Sequence, residues 1–163
     1  LDPDYVSVKE FVTHTLADNT FEAHKIIPPV LVQMLEDDCN SALELVAGIN
    51  VSGNVSLMYE VSDVKAWAYL GLHLANKLKG AVHLELFRQT GIPDHKDGAI
   101  RYLEQALEQW DKVIEITRPI YRDMPLVHKN AHSRRPVRDN AFHWELIRDS
   151  VARDVQIARD ATF

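Results

Sequence analysis

The sequence predicts an all-α fold, an antiparallel helical bundle of about five helices with two long ones at its centre. Two observations carry most of this. Val64, Trp67, Gly71, Leu74, Leu78, Ala81 and Glu85 recur at steps of three and four between Val61 and Gln89, and only the last breaks the apolar run. Ile100, Leu103, Leu107, Trp110, Ile114 and Thr117 do the same between Asp94 and Arg118, flanked by Ala99, Ala106 and Val113. The third observation is the break between them, Thr90-Gly91-Ile92-Pro93, which is too short to travel and so folds the two helices into an antiparallel pair. The three tryptophans, Trp67, Trp110 and Trp144, each fall on the apolar face of a helix and are expected in the core rather than in a sugar-stacking platform.

Taken in order, Asp4 to about Ala17 reads as a short amphipathic helix carrying Tyr5, Val8, Phe11, Val12 and Leu16. Phe21 and Ile26-Ile27 are expected to pack onto the rest. Pro28-Pro29 fits a helix start, where a missing N–H leaves no bond unmade. A helix from Pro29 to Ala47 follows, with Asp38 at the margin of its stripe, Cys39 in its core and Gly48 ending it. Asn50 to Ser56 reads as a loop that continues irregularly through Tyr59, with Val61 or Ser62 opening the first long helix.

Within that helix Gly71 and Gly80 are each unfavourable by about 1 kcal/mol relative to alanine. A close helix crossing explains Gly71, and Gly80 is expected to mark a bend. Asp94 and Asp97 stand like the two halves of a cap for the second long helix. Glu108 and Lys112, like Asp149 and Arg153, are spaced for surface ion pairs. After the irregular stretch Pro119 to Asp139, Asp139 or Asn140 is expected to cap a last helix to about Ala161, with Trp144, Ile147, Val151, Val155 and Ala158 inward.

The chain has 163 residues, 46% of them hydrophobic and 26% charged, which suits one helical domain spanning 1–163 with its own core. It starts Leu1-Asp2-Pro3-Asp4, the look of a processed protein or a piece of a longer one. The net charge of −6 gives no reason to expect a nucleic-acid partner, and no apolar run of membrane length appears, so membrane insertion is not expected. A lone Cys39 excludes an internal disulfide framework and leaves the compartment open. Asn50-Val51-Ser52 and Asn54-Val55-Ser56 match the glycosylation triplet, as any loop rich in Asn and Ser does by composition.

The loop holds the residues best suited to ligand binding: His128, Lys129, His132, Arg134, Arg135 and Arg138, within eleven positions and with no acid among them. Arginine pairs in two-pronged fashion with carboxylate, sulfate or phosphate, so an acidic saccharide is a candidate ligand; a solvated loop whose arginines pair with helix acids is the blander alternative. His128 and His132 are four apart, but a metal would need that stretch helical and a further ligand such as His143 or Asp139, and without HExxH, paired cysteines or a glutamate inside the spacing no metal is expected. No cofactor signature is present, and no catalytic residue is assigned. Ser133 beside His132 lacks the orienting acid of a triad, and there is no GxSxG. Glu85, Glu104 and Glu108 would act as an acid–base set only if brought across one groove. His73 and His83 read as surface or margin histidines, ten positions apart on one helix. Tyr69, Tyr102 and Tyr121 are the candidate exposed aromatics.

The run DVKAWAYLGLHLANKLKGAVHLELFRQTGIPDHKDGAIRYLEQALEQWDKVIEITRPIYRDMP, extended loosely by HWELIRDSVARDVQIAR, resembles helical accessory regions of large secreted bacterial polysaccharide-processing, glycoside hydrolase-like proteins. The resemblance covers the chain from Asp63 onward and rests on the alanine-rich helix, the TG.P break and the LEQALEQW helix. It implies a non-catalytic accessory domain that supports a catalytic or carbohydrate-binding module, a neighbouring domain of a longer chain as partner, and a secreted or periplasmic location, with a cytoplasmic one left open. Two alternatives stand beside it. One is a protein–protein interaction or scaffold module with a groove for a partner peptide, which an exposed apolar groove would favour. The other is an independent enzyme or acidic-saccharide binder built on the basic loop with Glu85 or Glu104.

Overall fold

The computed structural model describes residues 3–121, the backbone of 124–125 and 141–142, and residues 143–163. The described residues form an all-α bundle of five helices: α1 (Val8–Leu16), α2 (Pro28–Ala47), α3 (Val55–Thr90), α4 (Pro93–Thr117) and α5 (Arg148–Arg159). A 3-10 helix, Trp144–Ile147, leads into α5, and Met124–Pro125 pairs antiparallel with Ala141–Phe142.

The long helix α3 is the middle layer. It packs against α2 on one side and α4 on another, with α5 lying on α4 and α1 against α3. At 36 residues α3 is roughly 54 Å long, enough to serve several partners along its length. Its contacts with α2 and α4 are each seated on a glycine. A β-carbon on Gly71 would overlap the Cys39 sulfur of α2, so the expected close crossing is present there. α3 runs on unbroken through Gly80, where a β-carbon would stand 2.7 Å from Leu103 Cγ of α4, so its missing side chain lets Leu103 in. Leu84, Ala99, Leu103, Val155 and Ala158 then close one core cluster from α3, α4 and α5.

The helix ends follow from local chemistry. Ser7 Oγ accepts from the Glu10 N–H (3.2 Å) to start α1 at Val8, four residues later than the sequence suggested. Ahead of it, Val6 N–H donates to Ile26 O and Ile26 N–H to Asp4 O, tying the first residues to the segment before α2. Pro28 and Pro29 occupy the first positions of α2, and Pro93 the first of α4, so no Asp94–Asp97 cap is needed. Gly91, at φ +69°, closes α3 by donating to Phe87 O.

Several expectations are corrected. The first long helix starts at Val55, because Asn54 caps it by accepting from the Leu57 N–H (3.0 Å). Asn50 similarly accepts from Ser52 N–H in the preceding turn, so both asparagines have local backbone roles. The last helix starts at Arg148 rather than near residue 140, because His143 Nδ1 caps a 3-10 turn by accepting from Glu145 N–H, which leaves Ile147 exposed. The proposed caps Asp139 and Asn140 lie outside the described residues. On α4, Lys112 pairs with Glu115 rather than Glu108.

The largest correction concerns Trp67, which is 73% exposed, with Val64 and Leu74 exposed on the same stripe. A helix in a middle layer has apolar residues on more than one face. The buried set of α3 is Val61, Ala66, Ala68, Leu72, His73, Ala75, Gly80, Leu84 and Phe87, and the stripe through Trp67 runs along its open margin. Trp110, by contrast, is buried, and Trp144 is half-buried.

Candidate functional site

The margin that holds Trp67 forms a groove between α2 and α3. On α2, Asp38, Ala42 and Leu45 recur at four and three residues and so share one helix face. Glu60, Val64, Trp67, Gly71 and Leu74 do the same on α3. Where these faces meet lies a depression of about 360 Å³ lined by Asp38, Cys39, Ala42, Glu60, Asp63, Val64, Trp67 and Ala68. The Gly71–Cys39 contact brings the helices together, and the small side chains of Ala42 and Ala68 leave room beside the indole. Leu45, 78% exposed, continues this face along α2, and Ile49 is exposed just beyond the helix end.

The groove is acidic. Asp38, Glu60 and Asp63 line it, and among the described residues no lysine or arginine does. The Tyr121 hydroxyl donates to Asp63, and this bond, with burial and the nearby acids, pushes the phenol up to about 12. Burial, then the Asp38 carboxylate, pushes the Cys39 thiol up, the opposite of what a nucleophilic cysteine needs.

A second cleft of about 320 Å³ lies among the start of α2, α3 and α4, lined by Pro28, Pro29, Val32, Gln33, Glu36, Lys79, Val82, His83 and Tyr102. Lys79 is already paired with Glu36 there. The His83 ring lies 5.7 Å from that of His95 and 5.2 Å from that of Tyr102, and its Nδ1 faces Gly98 without a hydrogen-bond partner. Burial, then His95 and Arg101, holds His83 below the ordinary histidine range. A third depression, between α4 and the 3-10 helix, contains Arg148 bonded through two nitrogens to Asp111 (2.6 and 2.7 Å) and Arg118 bonded to Glu145. Its cations are internally satisfied, and the pairs strap the 3-10 helix and α5 to α4.

Other candidate groups have structural partners. His73 is buried rather than marginal: its Nδ1 lies 2.9 Å from Ala106 O, its ring meets Trp110 edge-on, and burial lowers its pKa. Glu85 accepts from Gln89, and Glu104 pairs with Arg159, so each carboxylate is engaged by a different neighbour. Tyr69, Tyr102 and Tyr121 are all half-buried. The basic set His128, Lys129, His132, Arg134, Arg135 and Arg138 lies outside the described residues. Among the described residues no group of three His, Cys, Asp or Glu side chains is placed to hold a metal, and no helix is long and apolar enough to cross a membrane.

No known family model matches this sequence, and neither the curated proteins nor the solved structures give a significant match. The functional reading therefore rests on the molecule's own surface. Sequence periodicity found Trp67 but assigned it to the core; the readable sign was that α3 carries more apolar residues than one stripe can hold.

Proposed function

We propose that the chain is a non-catalytic helical interaction module that binds a partner protein in the α2–α3 groove. The observation that carries this reading is Trp67, exposed in a groove that Val64 also lines, with Leu74 and Leu45 exposed further along the same two helix faces. A large aromatic left in water amid other apolar side chains is the usual anchor of a protein contact. A sugar platform is less well supported, since Trp110 is buried and Trp144 half-buried, leaving Trp67 without a second exposed tryptophan. The accessory role implied by the resemblance fits the same site, because a neighbouring domain of a longer chain would be one such partner.

The test is selection of displayed peptides on the whole chain, followed by binding measurements on the wild type and Trp67→Ala. Peptides that bind saturably and weaken about tenfold or more on Trp67→Ala support the module. Peptides that bind both forms equally well, or selection that yields no saturable binder, would overturn it.

A further inference from the structure

We infer that the partner of the α2–α3 groove is a cationic amphipathic helix of another protein, an inference that rests on the interaction-module reading above. The shape argument comes first. Val64, Trp67, Gly71 and Leu74 form a ridge at steps of three and four along α3, and Asp38, Ala42 and Leu45 form the facing ridge of α2. Two helical ridges with small residues between them suit a third helix, whose apolar anchors repeat at the same period.

Charge then selects among helices. Three carboxylates line the groove, and among the described residues Asp38 and Glu60 have no ion-pair partner, while Asp63 accepts from the neutral Tyr121 hydroxyl. A helix with leucine-type anchors flanked by lysine or arginine would place cations against all three. An acidic helix would set like charges together, which is how a rim rejects partners. The same argument disfavours a second copy of this chain, because two copies would bring their acidic rims together on molecules already carrying −6 each.

The experiment uses three synthetic helical peptides of about 18 residues, roughly 27 Å long. All share one leucine stripe; the flanking positions are lysine in one, glutamine in the second and glutamate in the third. Binding to the whole chain is followed by fluorescence anisotropy across a salt series, with sedimentation of the chain alone alongside. The lysine peptide is expected to bind saturably, to weaken about tenfold or more with Trp67→Ala, and to weaken roughly three- to tenfold with Asp38→Asn plus Glu60→Gln or in high salt. All three substitutions are at exposed positions, and circular dichroism checks that each variant is folded.

Equal, Trp67-dependent binding of the glutamine peptide would overturn the charge inference and leave the interaction module standing. Lysine-peptide binding that is indifferent to Trp67, or no binding by any peptide, would overturn the inference. In the no-binding case, the displayed-peptide selection decides the module separately. A chain dimer that dissociates on Trp67→Ala would make the second copy the occupant and overturn the cationic partner.

Discussion

The Cys39 sulfur occupies the space that a side chain on Gly71 would fill, so α2 and α3 approach each other through a glycine notch. Gly71→Ala therefore forces the sulfur aside. Overpacking of this kind typically destabilises by about 1–3 kcal/mol, partly offset by the roughly 1 kcal/mol by which alanine favours a helix interior. We expect Gly71→Ala to lower the midpoint of thermal unfolding by several degrees, and Cys39→Ala in the same chain to restore most of the loss. A Gly71→Ala protein more stable than wild type would mean that the notch is not filled.

The same sulfur should be chemically quiet. With burial and Asp38 both raising its pKa, Cys39 holds less thiolate at neutral pH than an ordinary cysteine. Its reaction with a disulfide reagent should be slower than that of a small free thiol, and should speed up when denaturant unfolds the chain. Reaction at the free-thiol rate in the native state would contradict the packing.

Trp67 and Trp110 should separate recognition from stability. Trp67→Ala removes an exposed ring and should alter unfolding free energy by no more than about 0.5 kcal/mol. Trp110 is 8% exposed, and its Nε1–H donates to Trp144 O (3.1 Å). Trp110→Ala should destabilise by about 3–5 kcal/mol. Denaturant unfolding of both variants checks this, and equal losses would place Trp67 in the core after all.

Acid should weaken the fold through His73. Its Nδ1–H donates to Ala106 O in the neutral form, and burial holds the folded-state pKa below the ordinary value of 6.5. The unfolded chain therefore binds the proton more readily in this window. The contribution is complete above pH 6.5 and is lost as pH falls from there toward the folded-state value. His83, also shifted downward, acts in the same direction. Unfolding free energies measured across this range should fall with acid, and by less in His73→Gln than in the wild type after other groups are allowed for.

At the alkaline end, Tyr121 should titrate late. Its folded-state pKa is raised from 10.0 to about 12 by donation to Asp63, so its stabilising contribution is present below pH 10 and lost as pH rises toward 12. Spectrophotometric titration should show a late tyrosinate step that Tyr121→Phe removes. Survival of that step in the variant would assign it elsewhere.

The sequence by itself determined the helical class, the antiparallel α3–α4 pair and the inward face of α4, because α4 has one dominant buried side and its periodicity reads directly. Gly71 was legible too, since a glycine inside a long helix is unfavourable unless something approaches it closely. Asn54 was legible in principle as a preferred cap, yet a polar loop with two Asn-Val-Ser triplets hid it. The open groove was not legible. Periodicity shows that Val64, Trp67 and Leu74 share a stripe of α3, but it does not say which stripes of a middle-layer helix find partners. Only the tertiary arrangement decided that, through the Cys39–Gly71 and Gly80–Leu103 contacts that set α2 and α4 on their sides of α3. The physical reason is that burial belongs to pairs of surfaces: His73 became core because α4 covers it, and Trp67 stayed in water because neither neighbouring helix does.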